Sequence, residues 1–297
     1  WTVGFLGRKG DENPRLSAEW LMSEATGLSR IELYVNFERP LTLDERATLR
    51  DFVARRGKGE PLQLISGKVP FRYITVLVAP NVLIPRPETE VLVSEAFAEL
   101  NLPRVADHVA AGENGEEVVS PELPELRVVD LCTGSGCIAC SIASEYPAAH
   151  VVALDIAPEA LALAGKNVEV LGLGNRIEVL ESDLLGALDP GKKGTFDLIV
   201  SNPPYVPTKV CDSLPREVSE WDSRLALDGG EDGLDLFRRF LPDALSYLKP
   251  GGVLAVELFE GHLEQARNGA CAAGFDQARI ALDLTGRPRV LIARKPR

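Results

Sequence analysis

Asn202, Pro203, Pro204 and Tyr205 stand directly after the apolar run Phe196–Ser201, and that order raises a chemical possibility. Neither proline has an N–H for a sheet ladder, and each restricts the residue before it, so the strand ends there in a stiff corner. Such a corner can aim two acceptors, the Asn202 side-chain oxygen and the Pro203 carbonyl, beside the flat ring of Tyr205. The set suits a carboxamide or an aromatic amine, whose two N–H groups donate while its plane lies on an aromatic face. The lone pair of such a nitrogen is delocalised, and holding both N–H groups raises its electron density. No general-base histidine is evident, so rate would come mostly from positioning, where effective molarities up to about 10⁵–10⁸ M are available. Read alone, an N-P-P run is an ordinary rigid turn.

A second constellation is "VVDLCTGSGCIACSIA", a strand, a glycine turn and a helix. Gly134 and Gly136 let the backbone turn tightly and approach a ligand, and the helix start offers unpaired N–H groups. As G-x-G-x-x-A it also fits a dinucleotide fingerprint, with Asp155 placed 19 residues past Gly136 for a ribose (155 − 136). Asp130, at the end of the strand before the turn, shifts the reading from NAD to S-adenosylmethionine. A carboxylate there could hold a methionine amino group, whereas a pyrophosphate would not tolerate it. The Asn202 corner facing the same carboxyl edge points the same way, and its aromatic ring suits a sulfonium cation. The plain alternative is that Asp130 and Asp155 simply cap the turns that follow them.

The elements that must position these residues are legible as periodicities. "NPRLSAEWLMSEATG" and "TLDERATLRDFVARRG" have helical spacing, stopped by Gly27 and Gly57, and Thr42 with Glu45 reads as a capping box. Residues 1–66 therefore read as a small helical domain, and "VPFRYITVLVAPNVLIP" as a β-hairpin linker over 67–84. Residues 85–297 read as an α/β domain. Its predicted strands are Arg127–Leu131, Val151–Asp155, Ile177–Leu180, Phe196–Ser201, Val253–Leu258, Arg279–Asp283 and Val290–Ala293. Predicted helices at Ile138–Glu145, Pro158–Leu171, Leu234–Leu248 and Leu263–Ala273 alternate with most of them, which implies a mostly parallel sheet covered on both faces. Residues 101–126, with Asp107, Glu113, Glu116, Glu117, Glu122 and Glu125 against Arg104, read as a mobile acidic insertion.

Composition excludes several classes. The 297 residues have no apolar run near the ~20 a membrane span requires, and no signal peptide is evident, so the reading is a cytoplasmic protein, with Trp1 marking a trimmed start. A formal net charge of −12 opposes clamping of nucleic acid phosphates and suits a basic protein partner. Cys132, Cys137 and Cys140 crowd one apolar segment far from His108, His150 and His262, so no paired zinc spacing exists and no metal is expected. A monomer is the default expectation.

Taken together, "NPRLSAEWLM", "EPLQLISGKVPF", "VLIPRPETEVLV", "DLCTGSGCIA", "LDIAPEAL", "SDLL", "SNPPYV", "LALDGGEDGLDLF", "LKPGGVLAVE" and "DLTGRPRVLIAR" resemble the HemK-type protein-(glutamine-N5) methyltransferases. Those enzymes modify the Gly-Gly-Gln glutamine of class I peptide chain release factors. The resemblance spans nearly the whole chain. It implies a Rossmann-like, seven-stranded S-adenosylmethionine-dependent methyltransferase sheet with a small N-terminal helical domain that docks the substrate, and S-adenosylhomocysteine as coproduct. It implies that Thr133, Gly134, Ser135 and Gly136 cradle the methionine part and Asp155 the ribose, while Asp183 and Leu184 lie by the adenine. Asn202, Pro203, Pro204 and Tyr205 would take the glutamine, and Arg86, Glu88 and Thr89 would line the entrance. An Arg86–Glu88 ion pair fixing the interdomain hinge is the alternative for those two. Leu184 replaces an aromatic residue of some relatives, and Asp222-Ser223 after Trp221 replaces an expected Glu-Pro, which leaves that loop without an assigned role. The N-P-P-Y motif also occurs in adenine-N6 methyltransferases acting on DNA or RNA, the chief alternative. A catalytically idle S-adenosylmethionine-binding protein is a third reading, and an NAD oxidoreductase a fourth.

Overall fold

A computed structural model of the chain describes residues 1–102, 109–111, 117–119, 123–213 and 221–297. Five short helices come first: α1 (Thr2–Arg8), α2 (Pro14–Thr26), α3 (Arg30–Val35), α4 (Leu43–Arg56) and α5 (Leu62–Ser66). Local chemistry sets their ends. Gly27 takes the left-handed conformation, φ 70°, that closes α2. The expected capping box opens α4, with Glu45 N–H donating to Thr42 Oγ1 at 3.2 Å and Thr42 N–H to Glu45 Oε2 at 2.8 Å. A second box, Ser29 with Glu32, opens α3. Leu6, Leu21, Val53 and Ile65 form the small core of this bundle. Ile31, Val35, Phe37 and Leu43 remain exposed on it.

The hairpin follows as β1 (Lys68–Phe71) and β2 (Ile74–Leu77), paired antiparallel about Arg72 and Tyr73. Helix α6 (Pro87–Glu99) starts at a proline, whose missing N–H is no loss in a first turn. Strands β3 (Val109–Ala111) and β4 (Glu117–Val119) then pair antiparallel, so part of the segment expected to be irregular carries backbone pairing. Runs of three residues are too short for alternation to register in a sequence. The remainder of the expected acidic insertion, residues 103–108, 112–116 and 120–122, lies outside the described residues.

The rest is an α/β layer structure: β5 (Leu126–Leu131), α7 (Cys137–Glu145), β6 (Ala149–Asp155), α8 (Pro158–Val170), β7 (Ile177–Glu181), β8 (Phe196–Ser201), α9 (Thr208–Cys211), α10 (Arg224–Leu227), α11 (Asp235–Tyr247), β9 (Leu248–Glu257), α12 (Leu263–Ala273), β10 (Asp276–Leu282) and β11 (Pro288–Arg294). All seven predicted strands form one sheet in the order β10-β11-β9-β8-β5-β6-β7. Strands β9, β8, β5, β6 and β7 run parallel, whereas β11 is antiparallel to both β9 and β10. Strand β9 begins at Leu248 rather than Val253, because a register shift opposite Phe196 and Leu198 lets the Pro-Gly-Gly stretch stay in the sheet.

Both faces are buried, as a parallel sheet requires. Val128 of β5 belongs to one core with Val69, Phe71 and Val76 of the hairpin, Leu92 of α6 and Ile138 of α7. Val129 and Leu131 face the other core with Phe237, Phe240 and Leu263. The hairpin is further tied down by Arg72, whose guanidinium makes a bidentate pair with buried Glu145 of α7 at 2.5 and 2.6 Å. The chain proceeds outward through β6 and β7, then crosses back to lay β8 on the opposite side of β5. That reversal leaves a crevice outside the carboxyl ends of β5 and β8.

Candidate active site

The crevice holds a cavity of ≈ 190 Å³. Of the residues singled out in the sequence, Arg86, Thr89, Thr133, Gly134, Ser135, Asp155, Asp183, Leu184, Asn202 and Pro204 line it. Asp130, Gly136, Pro203, Tyr205 and Glu88 do not, and each is placed just behind the wall or beside it. The two constellations read separately in the sequence thus meet in one site.

The glycine turn is built by constraint from three sides. Gly136 caps α7 in the left-handed region, φ 77°, and a side-chain carbon there would come within 3.1 Å of Ala164 Cβ on α8. Only glycine lets turn and helix approach so closely. Asp130, fully buried beneath, takes Oδ2 hydrogen bonds from Thr133 Oγ1 at 2.6 Å and Ala139 N–H at 3.0 Å. Its Oδ1 has no partner among the described residues. Burial pushes this carboxyl up to about 7, against the two hydrogen bonds and with a small contribution from the charge of Asp155. Asp155 accepts from Gly134 N–H at 2.8 Å and Ala157 N–H at 3.0 Å, so it caps the turn while also lining the cavity.

Sequence reasoning missed the buried Asn167 of α8. Its amide donates to Leu77 O at 3.0 Å and Ser135 O at 2.8 Å, and its oxygen accepts from Leu77 N–H at 2.7 Å, tying the hairpin to the turn. Ser182 likewise went unnoticed. Its hydroxyl donates to Leu184 O at 2.6 Å and accepts from Ala187 N–H at 3.0 Å, which stabilises Leu184 in the left-handed region at φ 54°. Leu184, Ile156, Ala157 and Ala160 form an aliphatic wall, and exposed Asp183 pairs with Arg239 at 2.8 Å beside it.

The Asn202 corner stands on β8, whose Ser201 hydroxyl donates to Leu131 O at 2.7 Å and locks β8 to β5 at the site. Asn202 Nδ2 donates to Thr89 Oγ1 at 3.1 Å. Tyr205 Oη donates to Glu257 Oε1 at 3.4 Å, and burial beside that carboxyl pushes the phenol up. Behind the corner lies the loop 228–233. Val206 N–H donates to Leu227 O at 2.9 Å and Gly229 N–H to Val206 O at 2.8 Å. A side-chain carbon at Gly229 would sit 2.6 Å from Tyr205 Cα, and one at Gly233 2.3 Å from Tyr205 O. Both glycines are required by the approach of two backbones, a signal present in "DGGEDG" only once its neighbour is known.

Arg86 pairs with Asp222 at 3.0 Å, not with Glu88, which corrects the alternative ion pair. Asp222 is buried, which pushes its carboxyl up, and Ser223 caps α10 through Leu225 N–H at 3.3 Å. Ser223, Leu225 and Ala226 line the cavity, so the loop that departs from the expected Glu-Pro has a role: it closes one wall. Among the described residues no cluster of His, Cys, Asp or Glu could hold a metal ion, and no helix is long and apolar enough to cross a membrane.

A planar acceptor corner and a glycine turn at the switch point of a seven-stranded sheet define a methyltransferase. The comparisons agree: residues 114–215 match the methyltransferase small domain, and residues 1–67 the PrmC N-terminal domain. The hMettl16 catalytic domain, solved in complex with MAT2A 3'UTR hairpin 6, shares the fold at a TM-score of 0.54 and 14% identity, covering 85% of this chain and 81% of that one. The release factor glutamine methyltransferase of Geobacter sulfurreducens is 45% identical over 98% of this chain and 93% of its own length. That of Rhodopirellula baltica is 39% identical over 99% and 94%. The chain belongs to the release factor glutamine methyltransferase family.

Proposed function

We propose that this chain transfers a methyl group from S-adenosylmethionine to the side-chain nitrogen N5 of the glutamine in the Gly-Gly-Gln motif of class I peptide chain release factors. One observation carries the reading: Asn202, its nitrogen engaged by Thr89, lines the same cavity as the glycine turn Thr133–Ser135. When bound, S-adenosylmethionine supplies a sulfonium methyl that is transferred with inversion, and it leaves as S-adenosylhomocysteine. The residues present fit that group. Thr133, Gly134 and Ser135 would hold the methionine part on a turn packed by Gly136. The unpartnered Oδ1 of Asp130 is a free acceptor beneath the turn, and an ammonium bound there would favour its charged form. Asp155 would take the ribose hydroxyls, and Asp183 and Leu184 the adenine against the aliphatic wall.

Asn202 Oδ1 and the Pro203 carbonyl would each accept one N–H of the glutamine carboxamide, holding its nitrogen in line with the methyl. Pro204 and Tyr205 give the planar amide a flat, rigid seat, and Arg86 stands at the entrance with 39% of its side chain exposed. The helical domain over 1–66 docks the factor through exposed Ile31, Val35, Phe37 and Leu43, the hairpin over 67–84 connects, and 85–297 performs the chemistry. A cytoplasmic monomer fits a translation-factor substrate.

The test is mass spectrometry of a recombinant release factor, purified unmethylated, after incubation with S-adenosylmethionine and either this protein or its Asn202→Ala variant. One added methyl on the Gly-Gly-Gln glutamine is expected with the parent, and a loss of at least about 10²-fold in rate with Asn202→Ala. No methyl on the factor, with cofactor still bound, would overturn the substrate and direct the assay to adenine in DNA and RNA.

A further inference from the structure

Residues 221–227 form a strap along the cavity, and the strap does not hold itself in place. Ser223, Leu225 and Ala226 line the cavity, yet α10 buries no side chain and Leu225 is 56% exposed. Midway, Arg224 pairs with Asp212 at 2.8 Å, but both side chains are exposed, and such pairs contribute little. The strap is therefore fixed by its two ends. After α10, Leu227 O accepts from Val206 N–H at 2.9 Å and Asp228 Oδ1 from Thr208 Oγ1 at 2.6 Å, which fastens that end beside the Asn202 corner. Before α10, Trp221 O accepts from Asn81 N–H at 3.3 Å, and Asp222 Oδ2 accepts from Arg86 Nη2 at 3.0 Å.

The two contacts before α10 are unequal. The backbone bond from Asn81 is neutral and long. The other joins opposite charges, with the Asp222 side chain only 1% exposed and its Oδ1 without a hydrogen-bond partner among the described residues. Hydrogen bonds between charged groups are the stronger kind, and a buried carboxylate that loses its cation is left uncompensated. Arg86 is anchored in turn as the N-cap residue of α6 and lines the same cavity. We propose that Asp222 and Arg86 are positioning residues for the cofactor: their ion pair latches the strap along the cavity and so sets how tightly S-adenosylmethionine and S-adenosylhomocysteine are held and how slowly they leave. The inference rests on the reading of the cavity as the S-adenosylmethionine site.

The experiment uses the full chain and measures S-adenosylhomocysteine affinity and stoichiometry by calorimetry, its dissociation rate by chasing tritium-labelled ligand with unlabelled ligand, and the melting temperature without ligand. The variants are Arg86→Met, Arg86→Lys, Asp222→Asn and the double variant Arg86→Met/Asp222→Asn. Arg86→Met removes the charge and keeps much of the side chain, so dissociation should quicken and affinity fall about tenfold, the scale of one hydrogen bond to a charged group, with one ligand still bound per chain. The observed contact uses a single nitrogen, so Arg86→Lys should recover most of the loss. Asp222→Asn keeps an acceptor without the charge and should lose less than Arg86→Met. The double variant should be no weaker than Arg86→Met, since asparagine leaves no unpaired charge behind. Parental affinity and dissociation rate in Arg86→Met would overturn the inference. A lower melting temperature with an unchanged dissociation rate would do the same, because it marks a pair that only supports the fold, and so would losses that multiply in the double variant. A parent chain that binds no S-adenosylhomocysteine would instead overturn the reading of the cavity, and the inference with it.

Discussion

Single residues in this protein do their work by being denied alternatives. Asp130 is the clearest case: its neighbours use one carboxylate oxygen twice and leave the other bare. Burial pushes it from 3.8 to about 7, and Glu257 from 4.5 to about 7, so at intermediate pH the folded chain keeps protons that the unfolded chain has released. By linkage, the stability due to these two acids is full below their ordinary values and is lost as pH rises through about 7. Other carboxylates, such as Asp11 held below its usual range by Arg56 and Ser17 despite burial, act in the opposite direction, so the informative quantity is a difference. Asp130→Asn should gain stability relative to the parent between pH 5 and pH 8, read from urea midpoints. A difference that stays constant would mean Asp130 is already charged at pH 5. The residues of the corner and of the turn were readable in the sequence because prolines and glycines carry their own backbone restrictions. Glu257 was not, since one glutamate at the end of an apolar strand has no local signature.

Elements contribute by pressing backbones together. The loop 228–233 backs the Asn202 corner so closely that Gly229 leaves no room for a methyl group, which would stand 2.6 Å from Tyr205 Cα and 2.8 Å from Pro204 O. Gly229→Ala should therefore keep the fold and cofactor affinity but lower kcat by up to about 10²-fold, the scale reported for ångström-level misplacement of reacting groups. Steady-state kinetics with calorimetry would check this, and a fall in cofactor affinity of the same size would place the damage at the turn instead. The seven strands of the large sheet and the longer helices were legible from period, with ends displaced by a few residues, whereas short elements such as α3, α5, β3 and β4 were not. The Pro-Gly-Gly stretch of β9 reads as a turn locally, and only its register against β8 makes it strand.

At the scale of the whole molecule, the proposed function assigns docking to the helical bundle and chemistry to the sheet domain. Exposed Phe37 and Ile31 on the bundle are far from any predicted site residue in sequence and have no catalytic partner. Replacing both with Asp should raise KM for intact release factor about tenfold or more, as loss of an apolar anchor does, and leave kcat on a short Gly-Gly-Gln peptide unchanged. Equal effects on peptide and protein would remove the bundle from docking. The hairpin, read as a linker, is also part of the sheet domain's core through Val69, Phe71 and Val76, and through the Arg72–Glu145 pair. A linker whose alternate residues are apolar has somewhere to bury them, but period two does not say where.

By itself the sequence determined the α/β class, the seven strands, the glycine turn, the stiff Asn-Pro-Pro-Tyr corner and the helix caps. These follow from restrictions that a residue imposes on its own backbone or from periodicities within one element. Tertiary structure alone decided that Arg86 faces Asp222, that Asn167 ties the hairpin to Ser135, that Thr89 meets Asn202 and that Glu257 meets Tyr205. Those partners lie tens of residues or more apart, and only the order and packing of the strands and helices bring them together. A contact made across a crossover depends on strand order and register, which no local pattern contains.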